Sequence, residues 1–176
     1  MVLVDGQSRI GACGHTISVG DHHLSVQVEP LRPDTIPAWM FGDHVEESCP
    51  NKEVFKLKPD WAYYFREQRE GRFFMVSARN ENWDIVGYVG MFIRPHHHYS
   101  DVVMATDDLH YLLPAYRGQK LGAFMLAFAE KVAAEKGASI FLMRCKANQP
   151  HGKIFEDMGY KLTDLTYLKD IRNARA

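Results

Sequence analysis

Residues 106–111, "TDDLHY", gather two carboxylates, an imidazole and a phenol into six positions of a strand-like run. Those are the groups that move protons between a reacting atom and water. In a regular strand, Asp108, His110 and Leu112 share one face, and Asp107, Leu109 and Tyr111 share the other. Asp108 and His110 are therefore candidate bases on one side, and a histidine with an unperturbed pKa of about 6.5 suits that duty. The same pattern also suits a polar pair with no catalytic duty.

Just downstream, "YRGQKLGAF" (116–124) places Arg117, Gly118, Gln119, Lys120, Leu121, Gly122 and Ala123 between an extended run and a helical one. A helix starts with backbone N–H groups that lack intrahelical partners and carry the positive end of the dipole. Glycines there let an anion approach the backbone, so phosphate is a natural guest. Two bases and no acid at a helix start are a local cost that a bound anion removes. The spacing satisfies neither GxGxxG nor GxxxxGK[ST], and taken alone it also fits a plain turn with solvated bases.

The surrounding elements must position these groups. Residues 1–23 form a loose arm or a hairpin, and Leu24, Val26 and Val28 alternate as in a strand. Four prolines from Pro30 to Pro50 keep any helices there short. "KPDWAYYFREQREG" reads as a helix with Pro59 and Asp60 in its first turn and Gly71 after its end. "RFFMVSA" and "DIVGYVGMFI" read as a hairpin across "RNENW", and "DVVMATDDLHYLL" as the next strand. Leu121, Phe124, Met125, Phe128 and Val132 then mark one face of a long helix that stops at Gly137. "SIFLMRCK" reads as a central strand with Cys145 in the core, "NQPHGKIFEDMG" as a short helix, and "YKLTDLTYLKDI" as a last strand pair. This is an α/β domain: a mixed central sheet flanked by helices, with a β–α–β crossover at its centre.

At 176 residues the chain suits one domain, residues 24–171, with a tail over 172–176. A net charge of -1 recruits neither nucleic acid nor anionic membrane by field alone. Three cysteines without CxxC spacing, no signal-like start and no long apolar run point to a cytoplasmic protein without a disulfide framework. His96, His97 and His98 in "PHHHYS" read as a solvent loop first, a substrate contact second and a metal site well behind. No metal is assigned. Trp39, Trp61, Tyr63 and Tyr64 suit either a core face or the lining of a cleft.

The run "DDLHYLLPAYRGQKLGAFMLAFAEKVAAEKG" resembles the signature of the GNAT superfamily of N-acetyltransferases, in which a strand ends in an apolar residue, one more residue and proline before a Q/R-x-x-G-x-G/A loop. Leu112, Leu113 and Pro114 match the strand end; Arg117, Gly122 and Ala123 match the loop. "NQPHGKIFEDMGY" is similar to the family's second segment, with Asn148, Ile154, Gly159 and Tyr160 in register. The resemblance implies a GNAT-like fold. It also implies acetyl-CoA as co-substrate, with its pyrophosphate on the backbone N–H groups of residues 117–123 and its acetyl carbonyl near the N–H of Leu112 or a neighbour. Two positions depart from the pattern. Lys120 replaces the first motif glycine, which is harmless in a helical conformation and unfavourable at positive φ. Phe155 replaces the tyrosine that protonates the departing thiolate, so another acid, water or none does that work. His151, in the same segment, is a candidate acid or a plain loop histidine. A strand bulge, common in the family, would reverse the faces of 106–111 and keeps Tyr111 as a candidate acid.

The expected activity is transfer of acetyl to a primary amine by direct attack in a ternary complex, since no residue presents itself as a covalent nucleophile. The acceptor would border residues 33–71, whose Asp43, Glu46 and Glu47 suit a cation. Two rival expectations are a non-catalytic acyl-CoA-binding module and an acyltransferase with another acyl group or acceptor. No nucleic-acid or membrane partner is expected, and the chain is expected as a monomer or a homodimer.

Overall fold

The computed structural model describes residues 14–49, 54–146 and 152–172. Its sheet has six strands in chain order: β1 (His15–Val19), β2 (His22–Glu29), β3 (Phe73–Arg79), β4 (Ile85–Pro95), β5 (Val103–Leu112) and β6 (Ile140–Leu142). The first five pair antiparallel, and β6 pairs parallel to β5. Helices α1 (Ala38–Ser48) and α2 (Trp61–Arg69) lie between β2 and β3, α3 (Leu121–Glu135) joins β5 to β6, and α4 (Gly152–Asp157) follows. The described part of the N-terminal segment is the hairpin β1–β2, turning at Gly20 with φ +58°.

The sheet carries a packed layer on each face. On one, Leu121, Met125, Phe128 and Val132 of α3 close over Leu24, Val26, Phe74, Val76 and Met91. On the other, Leu31, Ile36 and Met40 close over Phe73, Met75, Tyr88, Leu109 and Tyr111. Covering on both faces explains why β3 and most of β4 read as unbroken apolar runs. Asp60 caps α2 by accepting the N–H of Tyr63, which fixes where that helix starts.

Two sequence expectations fail near the C-terminus. The "SIFLMRCK" strand lies at the edge of the sheet, not its centre; it is three residues long, and Cys145 is exposed. The expected strand pair over 160–171 is absent: these residues carry no ladder, and Leu162, Leu165, Tyr167 and Ile171 are each more than two-thirds exposed. A strand forms only against a partner edge. The alternating pattern of this segment finds none in the described chain.

Candidate active site at the end of β5

The site is shaped by one irregularity. Across the β4–β5 ladder Gly90 faces Leu109 and Met91 faces Asp107, so Asp108 is an extra residue with no partner opposite. Such a bulge bends the strand and re-aims its side chains. Strict alternation put Asp108 beside His110; here Asp107 is the partner, with His110 Nδ1 3.3 Å from Asp107 Oδ2. Asp108 instead turns to α2, where its carboxylate accepts the Tyr64 hydroxyl at 2.5 Å.

The two carboxylates live in opposite surroundings. Asp107 is 4% exposed and accepts both the backbone N–H and the Nε of Arg144, at 3.1 and 3.0 Å. The Arg144 guanidinium also caps the Asp107 carbonyl. This cluster takes over where the ladder ends, since β5 pairs with β6 only from Met104 to Thr106. Asp108 is exposed by surface area, yet partial desolvation of its carboxyl pushes it above the ordinary aspartate range; the Tyr64 bond and the Arg144 charge act against that, and Asp107 adds to it. Tyr64 is itself raised, first by burial and then by Asp108, so it stays protonated and donates.

Among the described residues the β5–β6 ladder runs no further than Thr106. The Leu113 N–H bonds Val86 O on β4. By the alternation of a strand, the Leu112 N–H points the other way, toward the β6 side of β5. On the same side the Leu112 carbonyl accepts Arg117 Nε at 2.8 Å. The rest of the guanidinium forms a two-pronged pair with Glu47 of α1, at 2.7 and 2.8 Å, and lies over the Tyr111 ring. Arg117 therefore holds α1 against the loop, and Glu47 is not a free acid for a cationic acceptor.

The loop itself passes through a 3-10 turn, Pro114–Tyr116, then Gly118 at φ +77° and Lys120 at φ +66°, ψ 0°. Lys120 thus occupies the left-handed conformation for which glycine is the ordinary residue, at a cost of about 1 kcal/mol. As N-cap of α3 it makes no side-chain bond, and the first turn carries no acid. Leu121 is fully buried, so only its backbone is offered to a ligand; Leu112 and Leu113 pack half-buried against the α3-side layer. A Cβ on Gly122 would meet Ile154 and Leu112 only at 3.8 and 3.9 Å, an ordinary contact, so internal packing does not demand glycine there. The β1–β2 hairpin braces the loop. The Gln119 side chain lies against Gly20, and Tyr116 packs on His22 with ring centroids 4.8 Å apart.

Tyr111 is buried on the α1 side and stacks on His44 at 5.2 Å. Phe155 belongs to the opposite, α3-side layer. Tyr111 is thus on the wrong face to replace the hydroxyl missing at Phe155. Tyr160, whose ring touches Phe155, gives its own hydroxyl to Glu130. Asn148 and His151 lie outside the described residues.

Sequence reasoning missed His44 and Arg144. His44 sits half-buried between Tyr88, whose hydroxyl is 2.8 Å from its Nδ1, and Tyr111; desolvation, helped by the charge of His110, lowers its pKa to about 4. Its spacing of four from the buried Met40 marked the inner face of a helix. Nothing in the sequence singled out Arg144. "PHHHYS" forms the turn between β4 and β5, closed by the His96 N–H on Val102 O. Among the described residues no group of three or more His, Cys, Asp or Glu could hold a metal, and no helix is long and apolar enough to cross a membrane.

An apolar cavity of about 210 Å³ opens between α1, α2 and β5; Asp108 does not line it but meets it through its bond to Tyr64 and its chain neighbour Leu109. Trp61 and Tyr64 line it with Leu109. Trp39 is instead 58% exposed, and Tyr63 packs against Phe92 and Arg94.

Residues 39–160 match the acetyltransferase (GNAT) family. A 90-residue stretch is 29% identical to an aminoalkylphosphonate N-acetyltransferase of Salmonella typhimurium, over 50% of this chain and 57% of that protein's length. The fold is similar to an aminoglycoside acetyltransferase from an uncultured soil metagenomic sample, with a TM-score of 0.65 at 14% identity, over 84% of this chain and 97% of that one. It is also similar to a predicted acetyltransferase from Clostridium acetobutylicum solved with acetyl-CoA, with a TM-score of 0.61 at 12% identity, over 86% and 99% of the two chains. A strand ending in an open edge, a glycine-bearing turn and an uncapped helix are thus the parts of a known scaffold, and this chain belongs to the GNAT family of acetyltransferases.

Proposed function

We propose that this acyltransferase takes acetyl from acetyl-CoA and passes it to a primary amine by direct attack, with Asp108 as the base. The observation that carries the reading is the loop from Arg117 to Ala123. It holds a non-glycine residue at positive φ against an uncapped helix start, and Gly122 keeps its surface clear with no packing need. Strain of this kind persists where a ligand uses the geometry. The pyrophosphate would accept the backbone N–H groups of residues 118–123, with the Lys120 ammonium adding charge. Arg117 would act through its hold on Glu47.

In this reading the ammonium of the acceptor gives its proton to the Asp108 carboxylate. The freed amine attacks the thioester carbon, forming C–N, while charge on the carbonyl oxygen is met by the Leu112 N–H. Collapse breaks C–S, the second proton on the attacking nitrogen passes to water, and the coenzyme leaves as a thiolate that takes a proton from water because Phe155 has none to give. A raised carboxyl suits the first step, since a base works best with a pKa closer to the working pH. The acceptor named for the Salmonella relative is itself an amine. Phe155 favours one rival, a module that binds acyl-CoA without turnover.

Calorimetry with acetyl-CoA tests the loop. Micromolar binding, about -8 kcal/mol, is expected for wild type, weaker binding for Gly122→Ala, and none for Gly122→Asp. Failure of the folded wild type to bind would end the enzyme reading. Binding without thiol release in the presence of amines would favour the module.

A further inference from the structure

We infer that the acceptor is a primary amine on a compact apolar tail, an alkyl chain or a single aromatic ring, with the tail in the cavity beside β5 and the ammonium at Asp108. This rests on the acetyl-transfer reading and narrows its acceptor. Ten residues line the cavity, and apart from the Tyr64 hydroxyl and the Trp61 indole N–H every lining side chain is apolar, Leu31, Ile36, Phe41 and Leu109 among them. A cavity of about 150 Å³ walled by such residues stays dry and takes up benzene. The roughly 210 Å³ available here therefore suits a ring or a short alkyl chain.

Charge decides what must travel with the apolar part. The Tyr64 hydroxyl is committed to the Asp108 carboxylate, which leaves the Trp61 N–H as the other polar side-chain group of the lining. An ammonium at that edge gains an anion, and the tail leaves water. A polyamine or an aminoglycoside would bring further charges or several hydroxyls into a wall whose remaining side-chain polar group is the single Trp61 donor, which is costly. An anionic tail is equally unsuited, since no Arg, Lys or His lines the cavity. Of the acids near the site, Glu47 is paired with Arg117, whereas Asp108 meets the lining through its bond to Tyr64.

The experiment compares initial rates with saturating acetyl-CoA for 2-phenylethylamine, a series of linear alkylamines, spermidine and kanamycin, in wild type and Ala38→Phe. Ala38 is an exposed residue at the start of α1 that lines the cavity, so a phenyl there fills space without disturbing the core. The wild type is expected to show kcat/KM at least tenfold higher for 2-phenylethylamine than for spermidine or kanamycin. Along the alkyl series it should rise about fourfold per methylene until the cavity is full. Ala38→Phe should erase that preference while its acetyl-CoA affinity and melting temperature stay put. Calorimetry with 2-phenylethylamine separates the two readings. If it binds wild type and not Ala38→Phe, yet no amine is acetylated, the cavity assignment stands and acetyl transfer falls. If spermidine or kanamycin is acetylated while 2-phenylethylamine neither binds nor reacts, the cavity assignment is overturned and acetyl transfer stands. An unchanged preference in Ala38→Phe also overturns it.

Discussion

Asp107 and Asp108 are the same residue one position apart, yet they serve different ends of the molecule. Asp107 sits where the β5–β6 ladder stops and replaces its hydrogen bonds, holding Arg144 by amide and guanidinium and facing His110. Asp108 is the extra residue of the bulge and meets a neutral hydroxyl at the edge of an apolar cavity. A carboxylate surrounded by donors and cations is a structural clamp. One that is partly desolvated beside a neutral donor, and still open to solvent, holds its proton more tightly. On the proposed reading, a one-residue insertion in a strand separates stability from chemistry.

The largest effect that sharpens this contrast is on rate. Asp108→Asn should lower kcat/KM by about 10²–10⁴-fold, while Asp107→Asn should keep kcat/KM within tenfold where it is folded. Stability should show the reverse order. Asp107→Asn removes the negative charge that holds Arg144 and replaces the oxygen facing His110 with a donor, and should cost about 1–3 kcal/mol, read from chemical denaturation. Asp108 has its folded pKa raised, so its contribution is most favourable below its unfolded value and is lost as pH rises through the folded one. Asp108→Asn should therefore raise the melting temperature at neutral pH, a gain that fades as the medium is taken below about pH 4.

A smaller change comes from Tyr64→Phe. Its hydroxyl stabilises the ionised Asp108, so its loss should move the acid limb of kcat/KM to higher pH, with little loss of rate on the plateau. A limb that moves to lower pH would mean Tyr64 is not the donor. The smallest effect lies at the loop. Lys120→Gly relieves a left-handed lysine and should stabilise the fold by about 0.5–1 kcal/mol, while acetyl-CoA affinity falls slightly through the lost ammonium.

Periodicity located most of the scaffold because the elements it found are covered. The α3 stripe at Leu121, Met125, Phe128 and Val132 is the buried face of that helix, and the "RNENW" hairpin joins β3 to β4 as its polar turn suggests. The same reasoning failed where burial depends on a partner strand, at β6 and over 160–171, since an apolar run looks the same whether its edge is paired or bare. At the site, residue types marked β5 and the loop, but alternation assigned His110 to the wrong aspartate, because a bulge has no single-residue signature. The Arg117–Glu47 pair spans 70 positions, and the positive φ of Lys120 arises from the turn around it; neither has a local pattern to read.

The most direct measurement of the account is the pH profile of kcat/KM for acetyl transfer in wild type, Asp107→Asn and Asp108→Asn, measured side by side with one accepted amine. The bulge account expects an acid limb in wild type and in Asp107→Asn, and a low, flat acid side in Asp108→Asn. A limb that persists at full rate in Asp108→Asn and vanishes in Asp107→Asn would contradict it and move the base to the other face of the strand.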